Sequence, residues 1–499
     1  MSIMTNKTIL CCIMAISLAA CGDDSNVQPV IATVIEALGG EDQVGQPGSA
    51  LAEPLTVLVR DDAGNGAPDV TVSWSVISAG GSVSPAASVT NGSGRASTTV
   101  TLGPAEGEYE VQAAASGLAG SPVVFTATAV AGGSGAVVLS VVGGGNNVPE
   151  RYSSDLWVHG NHAYTGTWGF RNEQGNVLKA WSLDASGAPS PAGLATIPGI
   201  GIVSDVQVSD DGEYLVLSGE GGSAGGIYTY GLSNPAQPTL LGSAVIGSAG
   251  VHTVTWTSIG GRDYAFAALN PGFSGNPGED QPALLIYDVT QPATPTLVHR
   301  EPIEDNYGIH DTFVRDGLAF VFAWDEGVII YDVGNGLRGG SPSAPVKISQ
   351  IVTSATSMSS PAVHNGWWFH NPVTGERRYL FVGQEGPGVV GSQSSGDIHV
   401  VDVSDLANPR EVAFFHLNGA GAHNFWMDEG RQVLYAAFYN GGVVALDVSG
   451  TLSGDLSNRL LSQVRPGGAR NTFTWGVQLA NGSLYAIDML SGLWQLRVE

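Results

Sequence analysis

One unit recurs seven times between residues 136 and 499, and it limits the fold more than anything else in the chain. Its openings read Asp155-Leu156-Trp157-Val158, Asp205-Val206-Gln207-Val208, His252-Thr253-Val254-Thr255, His310-Asp311-Thr312-Phe313-Val314, His364-Asn365-Gly366-Trp367, His423-Asn424-Phe425-Trp426 and Thr472-Phe473-Thr474-Trp475. An apolar strand follows each opening, then a strand rich in Val, Ile and Asp, then a Pro-containing connection. Examples of that third strand are Leu284-Leu285-Ile286-Tyr287-Asp288-Val289, Val328-Ile329-Ile330-Tyr331-Asp332-Val333, Ile398-His399-Val400-Val401-Asp402-Val403 and Val443-Val444-Ala445-Leu446-Asp447-Val448. A small sheet cannot hide both of its faces, but sheets packed radially cover one another, so seven units of about 50 residues predict a seven-bladed β-propeller. The 70 glycines and 26 prolines disfavour long helices, and 43% hydrophobic residues argue against wholesale disorder, so the whole chain reads as all-β. The last unit stops at Glu499 after strands at 472–478, 483–488 and 493–498. The apolar run 136–142 has no blade of its own. It is expected to pair there and close the ring, removing an edge that would template aggregation.

Residues 29–131 carry a different pattern. Leu55, Val57 and Val59 alternate with polar or outward positions, as do Val70, Val72, Trp74 and Val76, then Val100 and Leu102, Tyr109, Val111 and Ala113, and Val123 and Phe125. Period-two runs separated by Gly/Asn/Asp turns predict a β-sandwich of about seven strands, with Trp74 between the sheets. Asp61-Asp62-Ala63-Gly64-Asn65-Gly66-Ala67-Pro68, Gly94-Arg95-Ala96 and Gly107-Glu108-Tyr109-Glu110-Val111 make this segment resemble the bacterial Ig-like domains of the invasin and intimin type, the Big-1 group. The resemblance implies a stalk or adhesive module, read here as a spacer. Ala131-Gly132-Gly133-Ser134-Gly135 is the small, flexible linker that separates it from the propeller at 136–499.

The repeats themselves resemble LVIVD repeats, named for the third strand. Asp288-Val289-Thr290-Gln291-Pro292-Ala293-Thr294-Pro295 and Asp402-Val403-Ser404-Asp405-Leu406-Ala407-Asn408-Pro409 match that repeat's strand-to-turn ending. The resemblance implies the fold more than a function. The third-strand aspartates Asp288, Asp332, Asp402 and Asp447 recur just before a turn and are expected to cap it.

Lys7 precedes an apolar run ending in Leu18-Ala19-Ala20-Cys21. The run is too short to span a bilayer and suits a secretory leader, and its end looks like a bacterial lipobox. The expected organisation is a signal peptide at 1–20, a tether at 21–28 and lipidation of Cys21. Gly22 in place of Asp points to the outer membrane or cell surface, so the membrane partner is reached through the lipid. Cys11, Cys12 and Cys21 are the only cysteines, so the folded region has no disulfide or thiolate site. With 19 Lys+Arg against 45 Asp+Glu and a net charge of −26, nucleic-acid binding and docking on anionic lipid are disfavoured.

Propeller geometry narrows the search for a site. The first strand of each blade lines the channel and the second returns antiparallel, so the start of one and the end of the other share a face. Starts supply Asp155, Asp205, His252, His310, Asp311, His364, Asn365, His423 and Asn424. Ends supply Trp168, Glu220, Trp324, Asp325, Glu326, Gln384, Glu385, Tyr439 and Asp488. The Gly/Pro-rich loops 270–282 and 385–396 are placed to wall that face. His252, His310, His364 and His423 are thus expected as an arc around one channel mouth, with Asp155, Asp205, Glu220, Asp325 and Glu385 beside them. Three readings fit: a clasp between blades, a site for a polar ligand or a divalent metal ion such as Zn, Cu, Fe or Mn, or acid-base catalysis. No GxSxG elbow, phosphate-binding loop or HExxH motif is present. Two functions follow. One is a surface-anchored propeller that binds a protein or glycan. The other is a metal-dependent propeller enzyme of hydrolase or lactonase type.

Overall fold

The structure, a computed structural model, describes residues 31–499 apart from 42, 46, 49, 52, 79, 106, 130–136, 184–187, 271–280 and 305–307. The leader, the Cys21 tether, the linker 131–135 and most of loop 270–282 lie outside the described residues. Among the described residues no helix is long and apolar enough to cross a membrane.

The N-terminal unit is a sandwich of two sheets. One is ordered Ala32–Gly39, Leu55–Asp61, Arg95–Thr101, Ser82–Ser84, and the other Gln43–Gly45, Val123–Ala129, Gly107–Ala114, Thr71–Val76, Ala87–Val89. Alternation sets which side chains face inward: Thr71–Val76 buries Val72 and Trp74 and exposes Thr71, Ser73 and Ser75. Trp74 fills the space between the sheets, 6.0 Å from the Phe125 ring, and its indole N–H donates to Ser88 Oγ at 2.8 Å.

The rest is a seven-bladed propeller of four-stranded antiparallel blades. The first strands are Tyr152–His159, Ile202–Val208, Val254–Ile259, Asp311–Arg315, Val363–Phe369, Phe425–Asp428 and Thr474–Ala480. The second and third strands are apolar on both faces because each blade is covered by its neighbours; Leu318–Phe322 and Val328–Asp332 are buried throughout. The third-strand aspartates cap their turns as expected. Asp288, Asp402 and Asp447 accept the N–H two residues on, from Thr290, Ser404 and Ser449, at 3.0, 3.1 and 2.9 Å. Asp332 accepts from Gly334 at 3.0 Å.

The ring closes with an N-terminal strand. Leu139–Gly144 runs antiparallel to Gly492–Val498, from Leu139↔Val498 to Gly144↔Trp494, and supplies the outer strand that blade 7 lacks. The pairing continues past the apolar run into Gly143 and Gly144 by way of a register shift after Val141.

The Ig-like unit docks on the propeller directly. Asn91 Nδ2 and Ser93 Oγ both donate to Glu213 Oε1, at 2.7 and 2.9 Å, and Arg95 donates to the Asp211 carbonyl. Residues 211–213 form the turn between the first two strands of blade 2. That turn lies at the far end of the first strand from Asp205, so the Ig-like unit sits on the face opposite the imidazole-bearing mouth.

Candidate functional site

Six of the seven first strands enter the channel through a two-residue step: Ser154-Asp155, Ser204-Asp205, His252-Thr253, His310-Asp311, His364-Asn365 and His423-Asn424. Radial packing brings these steps together on the axis. The imidazoles of His252, His310, His364 and His423 stand in sequence, with ring centroids 4.2, 3.9 and 4.1 Å apart. Trp475 of blade 7 follows at 4.2 Å from His423, and Trp168 of blade 1 lies 4.9 Å from Trp475 and 5.9 Å from His252, which completes the circle. The four imidazoles are only 1–3% exposed.

Glu385, at the end of the second strand of blade 5, reaches into this circle. Its Oε2 lies 3.1 Å from His310 Nε2 and 3.8 Å from His364 Nε2, and its Oε1 lies 3.9 Å from His423 Nε2. The Tyr439 hydroxyl donates to Oε1. His252 Nδ1 lies 2.5 Å from Glu220 Oε1, and its Nε2 is 3.1 Å from His310 Nε2. His423 Nδ1 donates to the Trp475 carbonyl at 2.5 Å.

Burial sets the protonation states. Removal from water pushes the His364 imidazole down to about 3, with His310 adding to the effect. His310 and His423 are also driven well below the ordinary histidine range by burial, each reinforced by a neighbouring imidazole of the circle. Burial acts on His252 in the same direction, but Glu220 beside it, with Glu385 and Asp311 beyond, outweighs the loss of water and raises it. One residue further into the channel stand Asp155, Asp205 and Asp311. Burial raises all three, and the Asp205 carboxylate raises Asp155 and Asp311 further. Asn424 Nδ2 donates to Asp155 Oδ1 at 3.1 Å. Between imidazoles and carboxyls lies a cavity of about 40 Å³. It has room for a few waters or an ion.

The clasp reading holds for part of this cluster. Asp205 Oδ2 accepts the Val254 N–H of the next blade at 2.8 Å, and Gln207 and Gln478 accept from Trp256 and Val158 at 2.9 and 2.6 Å. Thr253 Oγ1 donates to the His310 carbonyl at 2.6 Å. His423 also clasps its neighbour through Nδ1. The imidazoles of His252, His310 and His364 instead face side chains of the cluster.

Two expected residues stand apart. Asp325 lies half-buried in the turn at 325–327 of blade 4, after Trp324 with its positive φ of 47°, and is absent from the cavity lining; Glu220 and Glu385 are absent from it too but contact the imidazoles. Asn365 is buried but is absent from the lining; its Oδ1 fills the space beside Gly383, where a Cβ would come within 2.3 Å of it. Sequence position puts Tyr439 on this face as a second-strand end and Trp475 in the seventh opening, but assigns neither a role in the site. Tyr439 ends the second strand of blade 6, as Glu385 does in blade 5, and that equivalence was its only signal. Loop 385–396 does wall the mouth. Val390 and Leu490 pack on the same apolar cluster as Trp168, and a Cβ on Gly391 would sit 3.5 Å from a Leu490 methyl of blade 7.

Residues 50–131 match the family model described as bacterial Ig-like domain (group 1), and residues 150–170 and 393–416 match the LVIVD repeat. The chain therefore carries a Big-1 domain and LVIVD repeats. No curated protein matches it. Among solved structures, Sqt1 of Chaetomium thermophilum is 12% identical with a TM-score of 0.46, over 70% of this chain and 86% of that one. The C-terminal WD40 domain of Sif2 is 13% identical with a TM-score of 0.44, over 72% of this chain and 99% of that one.

Proposed function

We propose that this chain is a lipid-anchored display protein of the bacterial outer membrane or cell surface. Its Ig-like domain holds a propeller whose imidazole-lined mouth faces away from the membrane and binds a ligand there. The observation that carries this reading is the docking of Asn91, Ser93 and Arg95 on the turn 211–213, on the face opposite the mouth. An anchor at Cys21 then leaves the mouth outward. Phe170 and Val389, 72% and 76% exposed, stand on the loops beside it, where a protein or glycan partner would meet them. Replacing Cys21 with Ser is expected to release the chain from the membrane fraction. An epitope inserted beside Val389 in the otherwise native chain is expected to bind antibody on intact cells. Continued membrane attachment of the Ser variant, or an epitope reached only after lysis, would overturn the proposal.

A metal-dependent hydrolase or lactonase at the same mouth is the second reading. The meeting of neutral imidazoles with buried carboxylic acids favours it. Binding takes precedence, since the docked Ig-like unit turns the mouth away from itself.

A further inference from the structure

The donor atoms at the mouth are arranged for a cation. His423 Nδ1 donates to the Trp475 carbonyl, so its Nε2 carries a lone pair; that atom is buried, has no hydrogen-bond partner among the described residues, and faces Glu385 Oε1 at 3.9 Å. His252 Nδ1 is held by Glu220, which turns its Nε2 toward the same centre, 3.1 Å from His310 Nε2. His310 and His364 bring their Nε2 atoms to 3.1 and 3.8 Å from Glu385 Oε2. Several imidazole nitrogens and a carboxylate thus crowd one buried centre, where each proton shared between two of them satisfies a single contact. The available donor atoms of His310, His364 and Glu385 lie within 4.8 Å of one another. Zinc-type bonds of about 2.0–2.1 Å place neighbouring donors about 3.3 Å apart, close to the 3.1 and 3.8 Å from Glu385 Oε2 to the two imidazoles.

We propose that the mouth is a mononuclear site for a first-row divalent transition metal of the Zn2+ or Cu2+ kind, held by His310, His364 and Glu385, with His252 and His423 flanking it. Nitrogen-rich donors select such ions over Ca2+ and Mg2+. Glu220, the Trp475 carbonyl and Tyr439 are positioning groups. Two fix imidazole orientation through the other ring nitrogen, and the third fixes the carboxylate, as outer partners do in metal sites generally. The clasp between blades leaves this convergence unexplained, since interblade bonding at Asp205, Gln207 and Gln478 needs no imidazole.

The full chain, stripped with chelator and titrated calorimetrically with Zn2+ and separately with Cu2+, is expected to bind one ion per chain. Saturation should raise the melting temperature. His310→Gln/His364→Gln should weaken binding at least 100-fold. His416→Gln should leave it unchanged, because that imidazole bonds Asp397 at 2.7 Å, outside the circle. The Cu2+-loaded wild-type chain should show electron-paramagnetic nitrogen couplings from several imidazoles, a readout that stands even where the double variant does not fold. A stripped, folded chain that takes up no stoichiometric ion, an undiminished affinity in a folded double variant, or a spectrum of oxygen donors alone would overturn the proposal. Cys21→Ser leaves all these donors in place, so the display reading and the metal site fail separately.

Discussion

A carboxylic acid shut away from water keeps its proton, and Asp428 illustrates the cost. It ends the first strand of blade 6, is 7% exposed, and accepts the Arg431 N–H at 2.9 Å. Burial still raises it from 3.8 to about 6. The folded chain therefore binds this proton more tightly than the unfolded chain does. The resulting stability is full below about pH 4 and is lost as pH rises through about 6, at an order-of-magnitude cost of about 3 kcal/mol above that. Asp428→Asn keeps an acceptor for Arg431 and removes the ionisation. It is expected to raise stability by about 2–3 kcal/mol at pH 8 and by almost nothing at pH 4, as read by urea unfolding at both values. An equal gain at both would show that ionisation is not the cause. The cap aspartates Asp288, Asp402 and Asp447 were legible because they recur at a fixed place before a turn. Asp428 carries no such mark, since what raises it is depth in the fold.

At the level of elements, the strand that closes the ring is the sharpest case. Leu139 is 6% exposed and packs with Val137, Tyr435, Leu484 and Leu496 between blades 6 and 7, while Val142 on the same strand is 39% exposed. Leu139→Ala is therefore expected to cost about 2–4 kcal/mol, from lost transfer energy and a cavity. Val142→Ala should cost less than about 0.5 kcal/mol. Equal shifts in denaturation midpoint would mean that the strand does not close the core. The pairing was legible from a final unit one strand short and an apolar run without a blade. Its C-terminal limit was not, because Gly143 and Gly144 read as a turn yet continue the ladder beyond a bulge. The imidazole arc was legible for the same reason as the blades: propeller geometry converts position in a repeat into position on the axis. Contacts that leave the repeat escape this logic. Loop 385–396 meets Leu490 two blades away, and no periodicity in the chain marks that.

On the scale of the molecule, orientation decides what the mouth can meet, and it rests on a small polar contact. Asn91, Ser93, Asp211 and Glu213 are ordinary turn residues in sequence, which is why the Ig-like unit read as a spacer on a linker and not as a docked body. Glu213 Oε1 collects two donors from the Ig-like unit, and hydrogen bonds to a charged acceptor contribute about 1.5–3 kcal/mol each when shielded, less at a half-exposed surface. Glu213→Lys removes both and sets a cation close to Arg95, whose own N–H bonds the Asp211 carbonyl. The variant is expected to keep both folded units and release their contact, so that the radius of gyration in small-angle X-ray scattering rises while metal affinity at the mouth stays as in the native chain. The mouth lies at the other end of the first strands, so nothing in its ligand set moves. A scattering curve identical to the native one would mean that other contacts hold the units together, and the outward orientation would then rest on Leu38 and Gly160, where the two backbones approach so closely that a Cβ on Gly160 would lie 2.6 Å from the Leu38 carbonyl.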